Sequence, residues 1–284
     1  MSKKIAILFF GHLRTFKQTH PYTIKNLIEK YDCDIFIHTW DKIDSATLSW
    51  DNKEEFKEDF NKEVVDLVKT IYKPKKIKIE HQEKMEDKIL TSLDGQRQIS
   101  FNGIKFMFYS LSQANELRKE YEKEQNVNYD IILCTRPDIA IYNFLDIEKI
   151  LHEAEILNFD INKTRFFASI SRSSDFFLKS PIGQGNDMLF FGVKKVIDTY
   201  IETNTNLTYE YAQKHFIAVT TIFTSKEILA GLIPMPVHFL HGKDWKNIKF
   251  EEVGKDIRPK KTNKNKERSS LYKFLHLHWL RNKK

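Results

Sequence analysis

The residues of this chain best suited to chemistry stand just after its most apolar segments. Gly11-His12-Leu13-Arg14 follows the apolar run 5–10. Glycine there lets the backbone approach a ligand closely, and Arg14 supplies a planar fork that can grip a diphosphate. A plain turn followed by a surface arginine is the other reading. His38-Thr39-Trp40-Asp41 follows a second apolar run and pairs a carboxylate able to bond a base or ribose with a ring able to stack. Asp41 serves equally well as the start of a loop. The most informative of these positions is Arg136-Pro137-Asp138, which ends the apolar run 130–134. Pro137 stiffens the turn, the guanidinium suits phosphate, and Asp138 suits a divalent metal or a sugar hydroxyl. An Arg–Asp pair that closes the turn is the alternative.

Two further groups lie in the second half. Gly183-Gln184-Gly185-Asn186-Asp187 precedes the apolar 188–191, so Asp187 is a candidate base or acceptor-binding group, or else a turn residue at a strand start. His238, His241, Lys243 and Trp245 crowd into eight positions. His241 could complete a metal site and Lys243 could neutralise a leaving phosphate, although a loop histidine is often structural.

The elements that must position these groups alternate. Residues 4–10, 34–38 and 130–134 have the continuous apolar character of strands buried on both faces, and 76–80 alternates like a more exposed strand. Helices are predicted over 21–30, 54–72 and 102–124. This order implies right-handed crossovers and a Rossmann-like, doubly wound, mostly parallel α/β sheet flanked by helices, with ligands bound at the carboxyl ends of its strands. In the second half the pattern predicts strands at 165–170 and 188–192, helices at 193–202 and 209–229, and a Pro-rich connection at 233–241. Phe216, Val219, Thr220 and Phe223 form a stripe better suited to a core than to a ligand.

Composition narrows the function classes. With 284 residues and 41% hydrophobic content the chain can bury a substantial core, and 22 Phe with 11 Tyr favour an enzyme-sized fold over disorder. Two cysteines in or beside short apolar runs speak against a disulfide framework. No run approaches the roughly 18–20 apolar residues of a membrane span. Neither a Walker-type lysine loop nor G-x-G-x-x-G is present, which disfavours P-loop kinases, P-loop sulfotransferases and standard dinucleotide enzymes. The net charge of +7 is concentrated in 255–284, where Lys260, Lys261, Lys264, Lys266 and Arg268 precede an apolar-basic stretch. As a helix, that stretch would gather Leu271, Tyr272, Phe274, Leu275 and Trp279 on one arc, a pattern suited to an anionic lipid surface. A solvated tail, or one packed back on the domain, is the alternative. A terminal basic tract without interleaved exposed aromatics argues against nucleic acid.

Taken together, FFGHLRTF at 9–16, DIFIHTWD at 34–41, YSLSQANELRKEYE at 109–122, YDIILCTRPD at 129–138 and NDMLFFG at 186–192 resemble bacterial glycosyltransferases of capsule and lipopolysaccharide synthesis. The resemblance covers about residues 1–200. It implies a GT-A-like fold and a nucleotide-sugar donor held near Gly11, Arg14 and Asp41, with Arg136-Pro137-Asp138 in place of the usual Asp-x-Asp metal motif. Only one of those acidic residues is kept, so Arg136 takes part of the charge that Mn or Mg would carry, with His241 the other metal candidate. The implied partners are a nucleotide sugar and a glycan or lipid-linked glycan acceptor. The implied location is cytoplasmic, peripheral on the inner face of the membrane. The domain is expected over 1–254, with a nucleotide-binding half at 1–145 and an acceptor half at 146–254, followed by the tail 255–284. Two other classes stay open: transfer of a phosphoramidate, phosphate or sulfate group to the same glycans, and a non-catalytic glycan-binding module.

Overall fold

The computed structural model describes residues 3–44, 60–83, 86, 88–91, 95, 98–141, 144–156, 160–170, 189–214 and 229–239. The stripe expected at 216–223, residues 171–188 before β9 and the tail 255–284 lie outside the described residues. Strands β1 (Ile5–Phe9), β2 (Cys33–Trp40), β3 (Lys76–Glu80) and β6 (Ile131–Thr135) run parallel, with β1 between β2 and β6. Beyond β6 the sheet continues through β9 (Leu189–Val193), β8 (Thr164–Ile170), β10 (Leu229–Phe239) and the two-residue β7 (Ile139–Ala140). Strand β9 is antiparallel to both its neighbours, β10 is parallel to β8, and β7 is antiparallel to β10. The sheet is therefore mixed but mostly parallel. Apart from it, β4 (Ile89–Thr91) and β5 (Gln98–Ser100) form an antiparallel pair.

The strand period of two sorts the core into two layers. Ile5, Ile7 and Phe9 face one cluster together with Ile35, Ile37, Leu133 and Phe191. That layer is covered by α1 (Phe16–Asn26), α2 (Lys62–Tyr72) and α4 (Ile147–Ile156), which contribute Phe16, Val64, Val68, Tyr72 and Leu151. Ala6, Leu8 and Phe10 face the other layer, with Phe36, Ile132, Cys134 and Phe190, under α3 (Phe101–Gln125) and α5 (Lys194–Thr205). A short helix, α6 (Tyr209–Lys214), packs Ala212 with the β4–β5 pair. Helices on both faces account for the unbroken apolar runs: neither side of β1 meets water.

Several boundaries differ from the sequence expectation. Helix α1 begins at Phe16 and carries Pro21 inside it, whereas a proline is most easily read as a helix start. Helix α2 starts at Lys62, where the Asn61 side chain accepts from the Val64 N–H at 3.1 Å. Asn61→Ala should cost about 1 kcal/mol in urea unfolding, the usual value of such a cap. The segment 229–239 is a strand despite Pro234 and Pro236, because its pairing with β8 shifts register between Ile233 and Pro236, where a missing N–H is tolerated. Its start at Leu229 corrects the helix expected to end there.

Candidate functional site

Parallel register brings the ends of β1, β2 and β6 to one edge of the sheet, Phe9 lying opposite both Ile37 and Thr135. At that edge the chain leaves β1 through Gly11 in the left-handed region, φ +88°. A Cβ at Gly11 would meet nothing within 4 Å, so the space above the backbone is open and only the dihedral excludes other residues. The Gly11 N–H donates to Ser110 Oγ at 2.7 Å. Ser110 Oγ lies 2.7 Å from His38 Nδ1, and His38 Nε2 lies 2.8 Å from Glu80 Oε2. Because a carboxylate only accepts, the imidazole proton sits on Nε2 and Nδ1 accepts from the serine hydroxyl. The Tyr109 hydroxyl also donates to Glu80, at 3.1 Å. One relay thus fixes the β1 loop to β2, β3 and α3. A serine, a histidine and a carboxylate in sequence do not make a hydrolase here, since Ser110 is fully buried.

The centre of the site is an ion-pair chain. Arg14 takes a left-handed φ of 40°, with its N–H donating to the Ile43 carbonyl at 2.9 Å. Strain of this kind concentrates at functional sites. Its Nε donates to Asp44 Oδ1 at 2.5 Å and its Nη1 to Asp138 Oδ2 at 3.1 Å. Arg136 embraces the same carboxylate, Nε reaching Asp138 Oδ1 at 2.8 Å and Nη2 bonding Oδ2. Asp138 has no exposed side-chain surface, while Arg14 keeps 11% and Arg136 16%. Burial pulls the Arg14 guanidinium down, but Asp138 and Asp44 together carry it above its ordinary value. Tyr72, buried beside this cluster, has its phenol pushed up by burial and by the Asp138 charge.

Helix α1 holds the turn in place from the other side. Thr19 donates to the Pro137 carbonyl at 2.5 Å, Thr23 to the Ile139 carbonyl at 3.1 Å and Asn26 to the Ile141 carbonyl at 2.7 Å. Polar residues on one helix face meet alternate carbonyls of an extended chain, so the backbone from Pro137 onward is anchored without a long strand.

Asp41 stands at the rim, half-exposed, with Oδ2 2.6 Å from His81 Nδ1 and Oδ1 accepting from the Gln82 N–H at 3.3 Å. Burial raises its carboxyl, but these bonds hold it below the usual range. Trp40 is not available to stack on a ligand: it is 4% exposed and stacks on Tyr109, with His38 and Phe106 at its edges. The exposed ring of that group is Tyr109. His12, buried beside Arg14, points Nε2 at Gln82 Oε1, 3.0 Å away.

Burial pushes His12 down to about 3, helped by Arg14, and burial pushes His38 down to about 4 against the opposing bond to Glu80. Both are therefore neutral when folded, while the unfolded chain binds protons below about 6.5. Their contribution to stability is present above that value and is lost as pH falls toward 4. Stability should drop by on the order of 2 kcal/mol per pH unit between about 6 and 4.5 in urea titrations. His38→Gln should shed about half of that slope, and an unchanged slope would mean that His38 is charged in the fold.

Gly11, Arg14, Arg136 and Asp138 thus come together, with Asp41 at the rim, while Asp187, His241 and Lys243 lie outside the described residues. The described residues nearest to them in sequence, Leu189 and Phe239, lie at this edge. Leu189, at the start of β9, pairs with Thr135, and Phe239, at the end of β10, pairs with Ile139. Sequence reasoning missed Asp44, His12, Ser110, Glu80 and Gln82; only Glu80, at a strand end, carried a signal that could have found it. Among the described residues no three potential metal ligands gather, and both Asp138 oxygens face guanidinium groups. The described part of the site does not by itself make a donor set for Mn or Mg. No described helix is long and apolar enough to cross a membrane.

No protein-family model matches the chain. No curated protein matches it either. Among similar solved structures is one from Desulfovibrio desulfuricans G20, described as a putative nucleotide-diphospho-sugar transferase. It shares 10% identity over 82% of this chain and 80% of that chain, at a TM-score of 0.32. An overlay that loose transfers neither a residue nor an activity.

Proposed function

We propose that this chain is a nucleotide-sugar glycosyltransferase whose donor diphosphate lies over Gly11 between Arg14 and Arg136. The observation that carries this reading is the reversal of strand order at β1, whose carboxyl end adjoins that of β6. The chain leaves β1 for β2 on one side while β6 stands on the other, and open-sheet proteins bind ligands where connections diverge in this way. Two arginines and a glycine with open space above it occupy that position.

In the transfer, the bond between the anomeric carbon and the diphosphate oxygen breaks, and its electron pair leaves with the nucleotide. The acceptor hydroxyl oxygen forms the new bond. In an inverting reaction its proton passes to Asp187; a retaining reaction needs no conventional base. Arg14, Arg136 and Lys243 meet the charge on the leaving diphosphate. Asp138, fully buried with both oxygens on the arginines, holds the two guanidinium groups in place rather than meeting the donor sugar, and Asp41 bonds the nucleoside. The buried, arginine-bound Asp138 does not fit the metal-ligand role expected of it, so Mn or Mg, with His241 as the remaining candidate ligand, is a variable of the test. The acceptor in this reading is a bacterial surface glycan, lipid-linked at the cytoplasmic leaflet, with the basic 255–284 drawn to anionic lipid. Loss of sedimentation with anionic vesicles after truncation at residue 254 tests that last point, and unchanged sedimentation ends it.

A second reading, a non-catalytic binding module, is favoured by one observation: both arginines are already paired with carboxylates, as in a structural ion-pair chain. Thermal shift with UDP, GDP, CMP and their sugars, with and without Mn or Mg, separates the two. Stabilisation by one nucleotide family and its sugars supports transfer, reaching roughly 2.7 kcal/mol at a hundredfold excess over Kd. Response to a non-sugar donor alone would assign a different transferred group, and a flat response throughout would favour the binding module.

A further inference from the structure

Three polar side chains lead from the arginine cluster to the rim of the site. His12 stands two residues before Arg14 and feels the charge of both Arg14 and Arg136, which together with burial keeps its ring neutral. Its Nε2 lies 3.0 Å from Gln82 Oε1. The Gln82 N–H in turn donates to Asp41 Oδ1 at 3.3 Å, and Asp41 is half-exposed. His12 and Gln82 keep only 6% exposure each. A carboxamide oxygen only accepts, so the imidazole proton sits on Nε2 and Nδ1 presents a lone pair. Among the described residues nothing bonds that Nδ1 or the Gln82 amide nitrogen. Neither atom is sealed off, unlike the enclosed unpaired oxygens Thr39 Oγ1 and Tyr72 Oη. Polar side chains so deeply buried, each with a hydrogen bond still to make, point to a ligand.

Outward from the arginines the order is an acceptor, a donor and a carboxylate. A vicinal diol answers it, because each hydroxyl both donates and accepts. In a nucleoside diphosphate the ribose lies directly beside the phosphates. We infer that His12, Gln82 and Asp41 form a subsite for the ribose diol, with His12 and Gln82 selecting ribonucleoside over 2′-deoxyribonucleoside diphosphates. The inference rests on the diphosphate seat proposed above. One hydroxyl donates to His12 Nδ1, and the other accepts from Gln82 Nε2 while donating to Asp41. Thymidine diphosphate, which lacks the 2′-hydroxyl, leaves one of these buried groups unpaired and is disfavoured.

The test is calorimetric titration of the full chain with UDP, GDP and CDP, each beside its 2′-deoxy counterpart, and with inorganic pyrophosphate. The ribonucleotide that binds should do so about tenfold or more tightly than its deoxy form, the scale of one buried group left unpaired. Equal affinity for the two forms, or pyrophosphate binding with no gain from any nucleoside, overturns the ribose subsite and leaves the diphosphate seat standing. If none of these ligands binds, the donor-site reading falls and takes this inference with it. These comparisons use the unaltered chain and do not depend on a variant folding. Gln82→Met, which removes the amide donor, should lower ribonucleotide affinity about tenfold and narrow the preference, with pyrophosphate affinity unchanged. A preference that persists in a variant that melts normally overturns the role of Gln82.

Discussion

Asp138→Ala should lower the stability of the fold by about 3–5 kcal/mol, because it removes the buried carboxylate that two largely buried guanidinium groups share. The effect exceeds that of an ordinary polar deletion, since Asp138 bonds both arginines. Asp138→Asn should fall between, with its carbonyl oxygen still accepting one guanidinium proton while its amide opposes another. The Asp138→Ala, Arg14→Met, Arg136→Met triple variant should recover much of the loss, as buried ion clusters replaced by apolar groups often do. Urea unfolding at pH 7 measures all three. A single-variant loss below about 1 kcal/mol would mean that water reaches the cluster freely. The practical result is that an Asp138 variant reports on folding as well as on ligand, so binding comparisons should be made on the arginines or on Gln82.

Arg118→Ala should destabilise by about 3 kcal/mol through the same physics in a different place. Arg118 is fully buried on α3 and donates to Asn115 at 2.9 Å and to Asp198 of α5 at 2.6 Å, while pairing with Glu122 at 2.8 Å. Asn115 bonds the same Asp198 oxygen at 2.7 Å, so loss of the guanidinium strips the junction between two helices of its central donor. Asp198 and Glu122 keep some solvent contact, which limits the loss to less than that expected at Asp138. Pyrophosphate affinity should be unchanged in Arg118→Ala, whereas Arg136→Met should lower it. Altered pyrophosphate binding in Arg118→Ala would contradict this division between a structural cluster and a ligand-facing one.

The parts of the fold that could be read in advance are those where one physical demand dominated. Runs such as 5–10 and 130–134 are apolar on both faces because helices cover both faces, and the 25-residue α3 has length enough to show its period. Strand β7 has two residues and no period at all; it exists because β10 and α1 hold its backbone. Strand β10 hid behind its prolines, whose cost is absorbed by a register shift visible only once the partner strand is known. At the site, Gly11, Arg14, Arg136 and Asp138 were legible from their places after strands. Asp44 and Gln82 were not, because nothing local marks a residue whose partner is 30 or 70 positions away. Nor could the sequence tell that the Asp138 carboxylate would meet two arginines.

The central place of β1 bears on how the chain reaches this fold. Ile5 pairs with Cys33 on one side but with Ile131 on the other, a separation of 126 residues. During synthesis one edge of an apolar hexapeptide, Ile5 to Phe10, must therefore wait until β6 has emerged, presenting unpaired N–H and C=O groups meanwhile. At about 5–20 residues per second that wait lasts on the order of ten seconds. Long-range parallel pairing of this sort makes refolding slow and concentration-sensitive, and it makes the first strand the segment a chaperone would be expected to shield.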